Sequence, residues 1–223
     1  MASQPPRRRA LLAGATGLVG RAMLPLLLRG HGSVDVLIRR AAPELGADPR
    51  LRLHVVDFAN LPQAFPAVDD VFIALGTTIA VAGSQAAFRA VDFDAVVATA
   101  RAARKAGATR LALVSALGAD AASRVFYNRV KGETEVAVVA LGYECVTIAR
   151  PSLLLGDREA LGQPSRSVEA FAMRFARPLS WLVPRAVRPI AAADVAAALV
   201  QASARGEAGS HVLSSGDMQG SRR

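Results

Sequence analysis

The chain has 223 residues, of which 52% are hydrophobic and 20% are charged. This length and composition suit one α/β domain with a sizeable core and exclude a largely disordered chain. The formal net charge of +9 would suit an anionic ligand, but the arginines are scattered and only 5% of residues are aromatic. We therefore expect no nucleic-acid partner.

Membrane, secretory and metal-binding features are not expected. No apolar run reaches about 18 residues, and Met1 to Arg9 lack a signal-type cleavage pattern, so we expect a cytoplasmic protein with no membrane span. The single cysteine, Cys145, excludes a disulfide framework. The three histidines lack metal-ligand spacing, so no metal site is expected.

Hydrophobic patterning predicts alternating strands and helices along most of the chain. An apolar strand at 9–13 precedes a glycine turn, a helix at 18–29 and a second strand at 34–38. Further strands are predicted at 51–56, 70–75, 110–114 and 144–149, with a long helix at 85–106 and another that carries Tyr127 and Lys131. This alternation predicts an α/β doubly wound parallel sheet, the Rossmann fold, whose ligands bind beyond the carboxyl ends of the strands.

The predicted organisation is a single domain with short ends. We assign residues 1–8 to a flexible leader, 9–213 to the Rossmann domain and 214–223 to a loose tail. Within the domain, the alternation breaks over 156–190, a segment rich in proline and arginine. We predict that this segment forms a small cap on the substrate side.

The glycine turn after the first strand predicts a phosphate-binding loop. Glycines let the backbone turn tightly and admit a pyrophosphate against the amides at a helix start, whereas the alternative is an ordinary strand-to-helix turn. The cofactor contacts assigned to this loop are Gly14, Thr16, Gly17, Leu18, Val19 and Gly20.

The residues after the second and third strands bear on the nucleotide. An NAD-preferring site wants a carboxylate after the second strand, but this chain has Arg39 and Arg40 there, which favours NADP(H) over NAD(H). Two solvated arginines are the alternative. Asp57, next to Phe58, either accepts a hydrogen bond from the adenine amino group or caps a turn, and the sequence leaves both possibilities open.

Tyr127 and Lys131 are four residues apart, so on a helix they share one face. The charge of a nearby lysine favours tyrosinate, so the phenol can exchange a proton with a carbonyl or an alcohol as a general acid or base. A surface helix pair is the alternative reading. Ser115, which ends a strand, lies twelve residues before Tyr127.

These motifs together resemble the short-chain dehydrogenase/reductase superfamily over roughly residues 9 to 204. The narrower resemblance is to the Tat-interacting-protein oxidoreductases, an atypical branch. It rests on Ala74-Leu75-Gly76-Thr77-Thr78, Val91-Asp92, Ser115-Ala116-Leu117-Gly118-Ala119-Asp120, Phe126-Tyr127-Asn128-Arg129-Val130-Lys131-Gly132-Glu133, and Arg150-Pro151-Ser152-Leu153-Leu154-Leu155-Gly156-Asp157-Arg158.

The resemblance implies NADPH binding and a role for each motif. Ser115 would orient the substrate carbonyl, Tyr127 would donate the proton, and Lys131 would hold the nicotinamide ribose. The remaining cofactor contacts would come from Leu75, Gly76, Thr77 and Thr78 near the adenine ribose and pyrophosphate, and from Pro151 and Leu153 beside the nicotinamide. One departure is Ala98, which stands where many superfamily members carry an asparagine on the long central helix.

The sequence thus predicts an NADPH-dependent oxidoreductase that acts on an unidentified small carbonyl or alcohol. Two alternatives use the same groups: a non-catalytic NADPH-binding regulatory protein, and an enzyme like the nucleotide-sugar epimerases and dehydratases. The substrate, the direction of reaction and the oligomeric state are not predicted.

Overall fold

The computed structural model describes residues 7–62, 65–156, 184 and 187–221. Its main sheet has seven parallel strands in the spatial order β3-β2-β1-β4-β5-β6-β9. These strands are β1 (Arg9–Ala13), β2 (Ser33–Ile38), β3 (Leu51–Val55), β4 (Asp70–Ile73), β5 (Arg110–Val114), β6 (Cys145–Arg150) and β9 (Gly209–Ser214). The predicted doubly wound sheet is confirmed, with one more strand than the six expected.

Helices follow the strands along the chain. They are α1 (Leu18–Gly30), α2 (Ile79–Ala82), α3 (Gln85–Arg89), α4 (Val96–Lys105), α5 (Phe126–Val139), α6 (Ala192–Arg205) and α7 (Ser215–Met218), with a short 3₁₀ turn at Pro43–Leu45. The long helix predicted at 85–106 is instead α3 and α4 joined by a π-helical segment, Ala90–Ala95. None of the helices in the described ranges is long and apolar enough to cross a membrane.

The core lies on both faces of the sheet because neighbouring residues of each strand point to opposite sides. Leu12 belongs to a buried cluster with Met23 of α1 and Leu199 of α6. Leu11 belongs to the opposite cluster, with Val96 of α4. Burial of both faces explains why the central strands read as continuous apolar runs rather than as alternating patterns.

The expectation of a loose tail is wrong for the residues from Ser214 to Ser221. The Ser214 hydroxyl accepts a hydrogen bond from the Asp217 amide, while the Asp217 carboxylate accepts one from the Ser214 amide, which forms a capping box. Met218 has no exposed surface. The buried methionine and the capping box hold this segment in place, although its polar composition suggested disorder.

Arg8, which was assigned to the flexible leader, is anchored to β4. Its Nε atom donates to Asp70 Oδ2 at 2.8 Å, and a terminal nitrogen donates to the Asp69 carbonyl at 2.9 Å. His31 Nε2 also lies 3.0 Å from Asp70 Oδ2. Paired charges therefore anchor the residue that comes just before the predicted start of the domain.

Most of the predicted cap at 156–190 lies outside the described residues. The two ends of that segment are held together, because β7 (Leu154–Leu155) pairs in parallel with β8 (Ile190–Ala191). The Ile190 amide also donates to the Leu153 carbonyl at 2.9 Å. The described ends of the segment therefore lie next to each other, and β7 follows β6 by three residues in the chain.

Candidate functional site

The glycine turn lies at the carboxyl end of β1, next to β4, where the strand order reverses. Gly14 has φ +93°, and a Cβ atom added there would lie 2.4 Å from the Ala74 carbonyl oxygen. A Cβ atom added to Gly20 would lie 2.1 Å from the Gly14 carbonyl oxygen. The fold itself therefore requires glycine at these two positions.

Gly17 differs from the other two glycines of the turn. Among the described residues, an added Cβ atom would meet only the Gly14 carbonyl oxygen, at an ordinary 3.5 Å. Gly17 is the N-cap residue of α1 and has no side chain to cap that helix, whose first turn carries no acidic residue. The first amides of α1 can therefore bind an anion, and any steric limit at Gly17 would come from the ligand rather than from the protein.

The residues predicted to select the nucleotide lie together. Arg39, Asp57 and Phe58 line one surface depression with Val55 and Val56. Arg39 and its neighbour Arg40 are exposed, and neither forms an ion pair within the part of the chain that the structure describes. A phosphate group could pair with these two guanidinium groups without displacing a partner found in the structure.

Asp57 acts as a turn cap in this structure. Its Oδ2 atom accepts a hydrogen bond from the Asn60 side chain at 3.0 Å, and Oδ1 accepts one from the Ala59 amide at 2.9 Å. These bonds, with the one from Asn60 the stronger influence, hold the pKa of Asp57 below its ordinary value. The carboxylate shapes the turn that carries Phe58.

The loop after β4, Leu75 to Thr78, borders a buried charged pair. The Thr77 amide donates to Asp92 Oδ2 at 2.8 Å. A Cβ atom added to Gly76 would lie 3.4 Å from Asp92 Oδ1 and 3.7 Å from Lys131 Nζ. The loop that the sequence assigned to the nucleotide therefore lies directly against Lys131.

Lys131 is buried on α5, whereas Tyr127 is half-buried. Lys131 Nζ lies 2.7 Å from Asp92 Oδ1, and Asp92 has no exposed surface. Burial by itself would lower the pKa of Lys131, but the Asp92 carboxylate and the Tyr127 phenol together raise it above the ordinary lysine value. The Tyr127 ring packs against Phe88, with ring centroids 5.3 Å apart. The motif is therefore not an ordinary surface pair.

Sequence reasoning missed Asp92 as a site residue and considered Ala98 on the same helix instead. Asp92 is the residue that reaches Lys131, because it lies in the π-helical segment between α3 and α4. Its signal in the sequence was an acidic residue among the apolar residues of a long helical pattern, with Asp94 two residues further on. A period of 3.6 residues cannot place a residue across a π-turn, which shifts the helix face.

Ser115 is 6% exposed and belongs to a polar network that the sequence did not predict. Its hydroxyl donates to Glu135. Arg150 also binds Glu135, with Nε 3.1 Å from Oε1 and a terminal nitrogen 2.5 Å from Oε2. Because the Ser115 proton is committed to Glu135, Ser115 offers a ligand a hydrogen-bond acceptor, whereas orienting a carbonyl oxygen would need a donor.

The loop after β6 approaches the glycine turn. Pro151 is buried, and Leu153 is half-buried. A Cβ atom added to Gly156 would lie 2.7 Å from the Leu18 side chain at the start of α1. The structure therefore brings the assigned residues of this loop to the same edge of the sheet as the phosphate loop, the loop after β4, and α5.

The strand order, the uncapped α1 and the glycine turn define a Rossmann-type dinucleotide-binding protein. A family model described as NAD(P)H-binding matches residues 14–158. The chain belongs to this NAD(P)H-binding family, as expected from its resemblance to the short-chain dehydrogenases/reductases.

The curated relatives include fungal proteins named Protein FMP52, mitochondrial. The one from Emericella nidulans is 37% identical over 177 residues, which is 75% of this chain and 74% of that protein. The one from Lodderomyces elongisporus is 32% identical over 210 residues, 88% of this chain and 87% of that protein. These names place the relatives in mitochondria and overturn the expectation that this chain is cytoplasmic.

Solved structures share the fold at low sequence identity. MoeE5 in complex with UDP-glucose and NAD matches with a TM-score of 0.69 at 19% identity, over 92% of this chain and 75% of that one. A UDP-N-acetylglucosamine 4-epimerase from Methanobrevibacter ruminantium M1 matches with a TM-score of 0.71 at 12% identity, over 94% and 77% respectively. At these identities the similarity shows the fold alone.

Proposed function

We propose that the chain is an NADPH-dependent reductase of a small carbonyl compound. One observation carries the proposal: Tyr127 and Lys131 share α5, and the buried Lys131 ammonium is held 2.7 Å from Asp92. Burying a charged group costs desolvation free energy, and Lys131 is buried at the edge of the sheet where ligands bind in this fold. Groups perturbed in this way cluster at functional sites. A structural helix pair would gain nothing from this burial.

The proposed nucleotide would lie beside the glycine turn. Gly17 and the first amides of α1 would bind the pyrophosphate, because no described residue crowds Gly17 and the helix start carries a partial positive charge. Arg39 and Arg40 would pair with the 2′-phosphate through charge-assisted hydrogen bonds. Because Arg39 lines the same depression as Asp57 and the exposed Arg40 follows it in the chain, this region would favour the additional phosphate of NADPH.

The chemistry needs one proton donor and one fixed charge. Bound NADPH would supply the hydride to the carbonyl carbon. The Tyr127 phenol would give its proton to the carbonyl oxygen, and the tyrosinate that remains would recover a proton from solvent. Lys131 Nζ forms an ion pair with Asp92 at 2.7 Å, and the three ammonium donors could bind ribose hydroxyls while the positive charge stabilises the tyrosinate.

The test is NADPH oxidation measured against a panel of aldehydes, ketones and quinones, with the Tyr127→Phe variant alongside the wild type. Turnover that is lost in Tyr127→Phe would support the reductase. Tight NADPH binding without turnover of any carbonyl would contradict it and favour a non-catalytic regulatory protein. Conversion of a nucleotide sugar without net NADPH consumption would instead favour an epimerase.

A further inference from the structure

Asp92 is held by contacts from two other parts of the fold. Its Oδ1 atom lies 2.7 Å from Lys131 Nζ, and its Oδ2 atom accepts the Thr77 amide at 2.8 Å. Its backbone carbonyl accepts a hydrogen bond from Thr134 Oγ1 at 2.9 Å. The residue therefore connects the loop after β4 with α5.

The π-helical segment accounts for these contacts. A π-turn departs from the α-helical ladder, so one of its carbonyl groups can accept a bond from outside the helix. Thr134, which lies one turn beyond Lys131 on α5, shares its single hydroxyl proton between the Asp92 carbonyl at 2.9 Å and the Val130 carbonyl at 2.7 Å. Helix α5 thus holds the Asp92 carbonyl through Thr134 and its carboxylate through Lys131.

We propose that Asp92 is a positioning residue that keeps Lys131 in the ammonium form and fixes it against the loop Gly76–Thr77, which would border the nucleotide. The inference rests on the proposed NADPH site. Asp92 does not contact the reacting atoms in this account. It acts through Lys131, and Lys131 in turn acts on the ribose and on Tyr127.

The charges around Lys131 determine how the protonation of Lys131 beside Asp92 depends on pH. Burial opposes the ammonium form, and it is offset by Asp92 from the π-helical segment and by Tyr127 and Glu135 on α5. Asparagine at position 92 would keep an oxygen and lose the charge. The pKa of Lys131 should then fall, because desolvation would no longer be offset by its nearest carboxylate.

The experiment is a fluorescence titration of NADPH from about pH 6 to about pH 9 with the wild type and with Asp92→Asn. The wild-type dissociation constant should stay nearly flat over this range. The variant should bind within about three-fold of the wild type at the acid end and about 10-fold more weakly at the alkaline end, where its lysine loses the proton. A loss of NADPH affinity of the same size at every pH would overturn the proposal. A purely structural defect would not be relieved when Lys131 is protonated at low pH.

Thr134→Val provides the matched control. It removes the hydroxyl that binds the Asp92 carbonyl and changes no charge near Lys131. We expect a lower unfolding midpoint with an NADPH profile as flat as that of the wild type. If Thr134→Val acquired the same pH dependence as Asp92→Asn, loosening of the π-helical segment would explain both results, and the charge argument would be wrong.

The double variant Asp92→Asn with Lys131→Met keeps the proposal testable if Asp92→Asn folds poorly. Removing both charges eliminates the unpaired buried ammonium, so the double variant should unfold at a higher temperature than Asp92→Asn alone. An equal or lower midpoint would overturn the pairing.

These readouts do not depend on turnover: a wild type that binds NADPH without reducing any carbonyl would contradict the reductase alone. If the wild type did not bind NADPH, the unfolding midpoints would still decide the pairing.

Discussion

The two ends of the proposed cofactor site differ in how they are built. At the adenine end, defined by Arg39, Arg40 and Asp57, the side chains are exposed. At the reaction end, defined by Lys131 and Asp92 with their neighbours, the charges are buried and paired. Exposed charges can change without disturbing the fold, whereas removal of one buried partner leaves the other uncompensated.

This difference separates recognition from chemistry. The adenine end can select between nucleotides through surface charge alone, and its contributions are screened by salt. The reaction end needs a fixed proton donor and a fixed ammonium, so it is built from interior contacts that also stabilise the fold. Variants at the adenine end should therefore change affinity alone, and variants at the reaction end should change the rate.

The largest expected effect is at Tyr127. Tyr127→Phe removes the proposed proton donor and keeps the ring against Phe88, so kcat should fall by about 100-fold to 10,000-fold while NADPH affinity stays within a few-fold. Lys131→Ala should lower kcat and weaken NADPH binding together, because Lys131 serves both. Steady-state rates and NADPH titrations on both variants check this. Wild-type turnover by Tyr127→Phe would require a different acid.

The glycine turn separates a fold requirement from a ligand requirement. Gly17→Val should weaken NADPH binding by about 100-fold or more and leave the circular dichroism spectrum unchanged, because its side chain would enter the space proposed for phosphate. Gly20→Val is the matched control and should fail to fold stably, because its Cβ atom would overlap the Gly14 carbonyl. Unchanged NADPH affinity in a folded Gly17→Val would mean that the phosphate loop is misplaced.

Arg39 and Arg40 test the adenine end. The double variant Arg39→Ala with Arg40→Ala should lose about 10-fold or more of the preference for NADPH over NADH, since each arginine can make a charge-assisted bond to the 2′-phosphate. NADH affinity should barely change and serves as the internal control. The wild-type preference should also shrink as salt is raised. If the wild type binds both nucleotides equally, the assignment of these arginines fails.

The smallest effect is expected at Asp57. Asp57→Asn weakens a surface turn by removing a charged acceptor from the Asn60 and Ala59 bonds, so the unfolding midpoint should fall slightly. NADPH affinity should change by less than about three-fold, because the carboxylate is engaged in the turn. A larger loss of affinity without a change in the midpoint would restore the adenine contact that the sequence left open.

Local features of the sequence predicted most of the fold. The strand at 9–13 and the start of α1 at Leu18 were placed correctly, because an apolar run, closely spaced glycines and a helical period stand next to one another. Strand β9 escaped prediction because it lies at the edge of the sheet and none of its residues is fully buried. Its glycine, histidine and two serines give it a loop-like composition.

The site was predictable where its residues are close in sequence. Tyr127 and Lys131 show their relation through helical spacing alone. The contact of Lys131 with Asp92 and the Ser115–Glu135–Arg150 network join separate elements, so only the folded chain reveals them. The π-helical turn adds a second obstacle, since it changes which residues of the long helix face α5.

The central claim is that the buried end carries the reaction and the exposed end selects the nucleotide. The most direct test is single-turnover oxidation of bound NADPH by stopped flow, at saturating nucleotide and with a carbonyl substrate found in the panel. The account predicts that Arg39→Ala with Arg40→Ala reacts at the wild-type rate and that Tyr127→Phe is at least about 100-fold slower. A slow arginine variant alongside an unimpaired Tyr127→Phe would contradict it.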